Sequence, residues 1–336
     1  MIRLLTRLLA LIVLLGAALA GFLYYSVRQT VEAHLQVAEA GVTLEVHHGE
    51  SFSSVARTLK QKGIIEYPLL LRLYGRVTGR ASAIQAGEYR LTPRMTVLAL
   101  LHKMETGDVV RHSFTIVEGW TFRELRSELE AQPALDHTLA GVDDAAVMKR
   151  LGHDGENPEG RFLPETYQFP KGATDLSVLR RAYDAMQRTL DDAWDGRAEG
   201  LPLKRPYDAL ILASIIEKET GVPGERGRIA GVFVRRLRKG MRLQTDPTVI
   251  YGLGDDYDGN IHYRDLRRDT PYNTYTRSGL PPTPIAMPGA QAIQAAVHPA
   301  TGDALYFVAK GDGTHHFSAT LHEHDEAVRK YQLKRQ

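Results

Sequence analysis

Cysteine is absent from the 336 residues, which excludes disulfides, thiol nucleophiles and cysteine-ligated zinc or iron–sulfur centres. It does not fix the compartment. An excess of charge is missing too: 42 Lys and Arg stand against 40 Asp and Glu, a net +2, so nothing electrostatic points to a nucleic-acid partner. No helix-turn-helix, RNA-binding or nucleotide motif stands out, and none supports a Rossmann reading. A His-Glu-x-x-His zinc helix is also lacking. His298, His315, His316, His322 and His324 fall near the C-terminus, but His322 and His324, two apart, cannot share a helix face. No metal and no cofactor is expected.

What is present suits a folded enzyme. Hydrophobic residues make up 43% of the chain, ordinary for a real core, and the length leaves room for two or three domains. Residues 8–27 carry no charge and, at ~1.5 Å per residue, reach about 30 Å, enough to cross a bilayer core. Arg3 and Arg7 precede this run, and Tyr24 and Tyr25 stand where an aromatic belt belongs, so the N-terminus is expected in the cytoplasm. A cleaved signal peptide ending near Ala18-Leu19-Ala20 competes with this reading. Either way, residues 30–336 are expected outside the cytoplasm.

The chain also repeats itself. Residues 46–59 (VHHGESFSSVARTL) and 116–129 (IVEGWTFRELRSEL) align at an offset of 70, matching Gly49 to Gly119, Ser51 to Thr121, Phe52 to Phe122, Val55 to Leu125 and Leu59 to Leu129. Each reads as a short strand, a Gly turn, a Ser or Thr N-cap and an amphipathic helix. The first unit resembles a LysM-like glycan-binding module and continues to a strand at 85–91 and a helix at 96–106 stopped by Gly107. A packing or spacer role is the alternative, because few aromatic platforms are in view. The fold class expected is α+β: an anchor (1–28), a linker (29–42), a LysM-like domain (43–108) and a mixed α/β catalytic domain (109–336).

The densest chemistry lies in residues 213–254. A helix should start at Asp208 as N-cap and run to Thr220, with Gly221 as its stop. Apolar on nearly every side, it should be buried. Glu217 shares a face with Leu210, Ala213 and Ser214, so its carboxyl group is expected in largely apolar surroundings near the negative end of the helix dipole. Both conditions favour a protonated acid. Glu219 lies about 200° around the helix and cannot pair with it. Two ordinary solvated glutamates at a fraying helix end are the plainer alternative.

Candidate sugar contacts follow from residue type. Residues 225–239 read as a second helix, with Ile229, Val232, Phe233 and Leu237 on one face and its many arginines on a solvated one. The loop after it offers Gln244 and Asp246, an amide and a carboxylate suited to sugar hydroxyls. Asp246 is also the nearest partner for Glu217, or else the N-cap before Pro247. Tyr272, Asn273 and Tyr275 join an amide to aromatic rings in a Pro-rich loop. Glu165 and Tyr167 either line a cleft or cap and pack the core.

Several ordered motifs carry a resemblance. Residues 209–254, Tyr272-Asn273-Thr274-Tyr275 with Gly279-Leu280-Pro281-Pro282, Tyr306-Phe307-Val308-Ala309 and His315-His316-Phe317 resemble the YceG-like family of endolytic murein transglycosylases. Upstream, Glu159-Gly160-Arg161-Phe162 and Pro164-Glu165-Thr166-Tyr167 extend it, so it covers nearly the whole chain. The resemblance implies that Glu217, the first Glu of Glu-Lys-Glu-Thr, is catalytic, and hints that His316 lines the cleft. It implies endolytic cutting of the MurNAc–GlcNAc bond of nascent peptidoglycan, leaving 1,6-anhydro ends, and association with peptidoglycan synthases. It also implies single-pass anchoring in the cytoplasmic membrane with the catalytic region outside. A standard glycosidase needs two carboxylates about 5–9.5 Å apart, whereas a lytic transglycosylase can use fewer. A hydrolytic muramidase and a noncatalytic glycan-binding scaffold remain the alternatives.

Overall fold

The computed structural model describes residues 2–333 as a mostly helical α+β protein with small two-stranded sheets. It divides into two compact units, one of residues 1–112 with 169–172, the other of 113–168 with 173–336.

The first unit begins with one long helix, Ile2–Glu32. Its apolar stretch has a mean hydropathy of 2.3 and none of it is buried in protein, as a single-pass anchor or a signal sequence would be. Beyond it, strand Val42–Val46 pairs antiparallel with Gly87–Leu91, Leu44 opposite Tyr89. Alternation puts Leu44, Val46, Tyr89 and Leu91 on the buried face. Helices Phe52–Gln61, Pro68–Val77 and Val97–Thr106 close over that face. Ser51 and Thr96 cap two of them through side-chain oxygens, and Gly107, at φ 68°, ends the third as its sequence predicts.

The second copy of the repeat folds as the first does. Thr121 caps helix Phe122–Glu130 in a capping box with Glu124, and Phe122, Leu125 and Leu129 are buried as Phe52, Val55 and Leu59 are.

The core of the second unit is the helix Pro206–Glu219, in which every residue from Ala209 to Ile216 is buried. Each buried Leu or Ile contributes roughly 1.5–3 kcal/mol. Its start differs from expectation: Arg205 is the N-cap, Pro206 takes the first helical position and Asp208 the third. Asp208 still satisfies the end, its Oδ2 accepting from the Lys204 N–H at 2.9 Å and the Arg205 N–H at 3.3 Å. Thr220, not Gly221, is the C-cap. Helices Asp175–Asp195, Arg226–Arg238 and Ala290–Val297 pack around it. Gly231 lets the second of these approach closely, since a Cβ there would stand 2.4 Å from the Ala300 carbonyl oxygen.

Candidate active site

The last turn of the Pro206–Glu219 helix sends its two glutamates to different surroundings. Glu217 does not meet an apolar patch. Arg226 Nη2 donates to its Oε1 at 3.2 Å, and the Gly289 N–H donates to its Oε2 at 2.9 Å. Both partners of the ion pair are buried. Gly289 is the N-cap of Ala290–Val297, so the Glu217 carboxylate also faces a helix N-terminus. Ser214, one turn earlier, fixes the approach of that segment: its hydroxyl accepts the Ile285 N–H at 3.0 Å while donating to the Ile211 carbonyl.

Glu219 turns the other way, to the loop of residues 242–248. The Thr245 hydroxyl donates to its Oε1. Burial pushes the Glu219 carboxyl up to about 7, the Thr245 bond pulling it down and the charge of Asp246 adding to the rise. The charges of His315 and Arg236 also act on it, downward. The residue keeps partial exposure to solvent.

The loop is held rigidly around this carboxyl. Gln244 adopts φ 50° and is the one non-glycine residue in left-handed backbone among the described residues, strain of the sort that gathers at functional sites. Its N–H donates to the Thr274 carbonyl at 3.2 Å, and the Thr245 N–H to the Thr274 hydroxyl at 3.1 Å. Tyr275 donates its hydroxyl to Asp246 Oδ1 at 2.5 Å. Burial, then the Asp246 carboxylate, raise the Tyr275 phenol above its ordinary value, which keeps it a donor. Thr245 takes the N-cap position of helix Asp246–Leu253, so Asp246 is its first residue rather than the cap.

Sequence reasoning missed part of this cluster. Arg226 and Arg236 are buried, not on a solvated face. Arg236 Nη1 donates to the Leu243 carbonyl at 2.7 Å and its Nε to the Leu305 carbonyl at 2.7 Å, tying the loop to strand Tyr306–Ala309. Burial lowers its pKa from the ordinary arginine value. The signal was available: Arg236 lies seven residues after Ile229 and three after Phe233, on the apolar face of the helix. His315 was read only as part of a motif and among the histidines weighed for a metal. Its N–H donates to Glu225 Oε1 at 2.9 Å and its Nδ1 lies 2.7 Å from Oε2. Burial raises the Glu225 carboxyl, but these His315 bonds outweigh it and leave the pKa lowered.

Of the sequence candidates, the structure thus brings Gln244, Asp246 and Tyr275 together with Glu219. Asn273 is buried, its Nδ2 donating to the carbonyls of Asp265, Leu266 and Arg268 and its Oδ1 accepting the Tyr275 N–H, so it braces the loop. Tyr167 is buried beneath its strand with its hydroxyl donated to the Leu163 carbonyl at 2.8 Å, and Glu165 is exposed nearby. His316 is half-buried, its ring 5.7 Å from that of Tyr331. Tyr272 lines a separate cavity of about 850 Å³ with Tyr251, Arg123 and Glu159. Burial pushes the Glu159 carboxyl up to about 7 against bonds from the Tyr251 hydroxyl and the Phe122 N–H.

Two glutamates at one helix end, one held by a guanidinium and the other a buried carboxyl raised toward neutrality beside a rigid polar loop, give the equipment for acid/base chemistry. The chain belongs to the YceG-like family, whose profile matches residues 44–330 in one stretch and sets off no separate LysM domain. An endolytic murein transglycosylase of Bacillus subtilis is 32% identical over 307 residues, covering 86% of this chain and 84% of that protein. Another, of Streptococcus pneumoniae, is 26% identical over 322 residues, and this chain spans 58% of its length. The crystal structure of a yceG-like protein from Listeria monocytogenes matches 86% of this chain and all of its own, with 32% identity and a TM-score of 0.54.

Proposed function

We propose that this protein is a peptidoglycan lytic transglycosylase and that Glu217 carries its proton transfers. One observation carries the assignment: the last turn of the buried helix holds the Glu217 carboxylate in one orientation, through Arg226 Nη2 on Oε1 and the Gly289 N–H on Oε2, and the Glu219–Thr245 bond beside it ties that turn to the Gln244–Asp246–Tyr275 loop. Glu219, buried and bonded by Thr245, serves to lock the helix end to the loop of residues 242–248.

In this reading Glu217 protonates the oxygen of the MurNAc–GlcNAc β-1,4 bond as that bond breaks. Its carboxylate then takes the proton from the muramyl C6 hydroxyl, whose oxygen attacks C1. The product is a 1,6-anhydroMurNAc end, and no water is consumed. Gln244, Asp246 and Tyr275 hold the sugars. The names of the relatives support peptidoglycan as substrate and endolytic cutting. The long N-terminal helix supports anchoring in the cytoplasmic membrane with the catalytic unit outside, where a cut in a nascent strand ends its elongation beside the synthases.

Mass spectrometry of glycan strands digested by the full-length protein tests this. Wild type and folded Glu219→Gln should leave anhydromuramyl ends, and folded Glu217→Gln should leave none. Unimpaired cutting by folded Glu217→Gln would sink the assignment. Reducing ends would mean a hydrolase, for which the exposed Asp246 is the second carboxylate.

A further inference from the structure

The helix Pro68–Val77 presents an apolar face that nothing in its own unit covers. Leu69 is 71% exposed, Leu73 37% and Val77 77%; at a spacing of four they form one stripe along the helix. Its inner face is made by buried Leu71 and by Gly75, which admits the Phe52 ring. The outward stripe is therefore not left over from an incomplete core. Arg72 and Arg76 are exposed on one edge of the stripe. Arg80, the next arginine, pairs with Glu105 at 3.3 Å, whereas Arg72 and Arg76 have no ion-pair partner among the described residues.

The position of this helix says what covers it. It packs against the N-terminal helix Ile2–Glu32. The groove shared by the two, of about 730 Å³, is lined by Phe22 and Ser26 on one side and Tyr67 and Leu70 on the other. Phe22 and Ser26 belong to the uncharged run that ends at Val27, so at ~1.5 Å per residue Phe22 lies only about 8 Å inside its end. Tyr67, 53% exposed, lines this groove with them and is an aromatic of the kind found in an interfacial belt.

We propose that Pro68–Val77 is a second membrane contact, lying in the surface of the outer leaflet beside the exit of the N-terminal helix. Leu69, Leu73 and Val77 enter the acyl boundary, while Arg72 and Arg76 extend to anionic phospholipid headgroups. A single span leaves the first unit free to turn about its axis, and a second contact removes that freedom. The inference rests on the anchored reading of the N-terminal helix.

The absence of native cysteine makes the test direct. Full-length Leu73→Cys, Lys60→Cys and Leu15→Cys, each labelled with bimane, are reconstituted into phosphatidylcholine–phosphatidylglycerol vesicles carrying lipids nitroxide-labelled near the headgroup or deep in the chain. Lys60 is exposed on the neighbouring helix Phe52–Gln61 and reports the aqueous background. Expected are deep-chain quenching at Leu15 and, at Leu73, shallow-lipid quenching at least about threefold that at Lys60. Adding Arg72→Glu and Arg76→Glu should return Leu73 toward the Lys60 level. Quenching at Leu15 with Leu73 at background overturns the inference alone and leaves that face to a protein partner. No quenching at Leu15 overturns the anchored reading and this inference with it.

Discussion

The Thr245 hydroxyl donates a hydrogen bond to the carboxyl group of Glu219, joining the last turn of a buried helix to a loop whose preceding residue, Gln244, is held in left-handed backbone. The bond favours the ionised carboxyl, while burial and the neighbouring Asp246 charge favour the neutral one.

Opposite shifts in the titration of Glu219 should follow from the two neighbours. Its carboxyl loses its proton as pH rises through about 7, read from the 13C shift of the labelled side chain. Thr245→Val removes the bond and should move this midpoint up by roughly 0.5–1 unit. Asp246→Asn removes a negative charge and should move it down. Thr245 makes no side-chain cap bond, so Val at that position leaves the helix start intact. A midpoint that stays in place in both variants would exclude these two neighbours as causes of the shift.

Stability as well as chemistry should register Glu217→Gln. The change leaves the buried Arg226 guanidinium without its closest carboxylate; Glu118, at 3.6 Å and half exposed, is a weaker substitute. The cost should be about 3 kcal/mol. Urea unfolding of both variants checks the contrast, Glu219→Gln being expected at or above wild type near neutral pH because its buried ionisable group is gone.

Close packing gives a third expectation. Gly231→Ala would gain about 1 kcal/mol of helix propensity but place its methyl 2.4 Å from the Ala300 carbonyl oxygen, a backbone atom. Overpacking of this kind costs about 1–3 kcal/mol, so a net loss should appear as a lower Tm. The helix carries Arg226 and Arg236, so activity should fall with it.

Glu159 makes stability depend on pH. Its carboxyl is raised from 4.5 to about 7, so between those values the folded state holds a proton that the unfolded state has released. Stability therefore declines as pH rises through this window and levels off above about 7, the loss being on the order of 3 kcal/mol. Glu219 is raised over the same window, so Glu159→Gln should reduce, without abolishing, the decline in Tm measured from pH 4.5 upward. A decline of unchanged size would exclude Glu159 as its source.

Much of the architecture was legible because it is local. The uncharged run of residues 8–27 is read directly from composition. The repeated Ser51–Phe52 and Thr121–Phe122 caps announce their helices, and Gly107 its stop, since capping geometry depends on residues within one turn. A Pro at the first helical position was harder to credit: Pro206 starts the central helix two residues before the Asp208 expected to cap it.

The sequence by itself determined the family, the apolar N-terminal helix and the presence of two carboxylates on one buried helix. It could not decide what each carboxylate meets, because their partners come from distant stretches: Arg226 and Gly289 for Glu217, Thr245 and its loop for Glu219. Helical spacing separates the two side chains by about 200°, but only tertiary packing supplies one with a guanidinium and the other with a desolvating polar loop. Protonation depends on those surroundings, whose effect falls off over a few ångströms in space and is blind to separation along the chain.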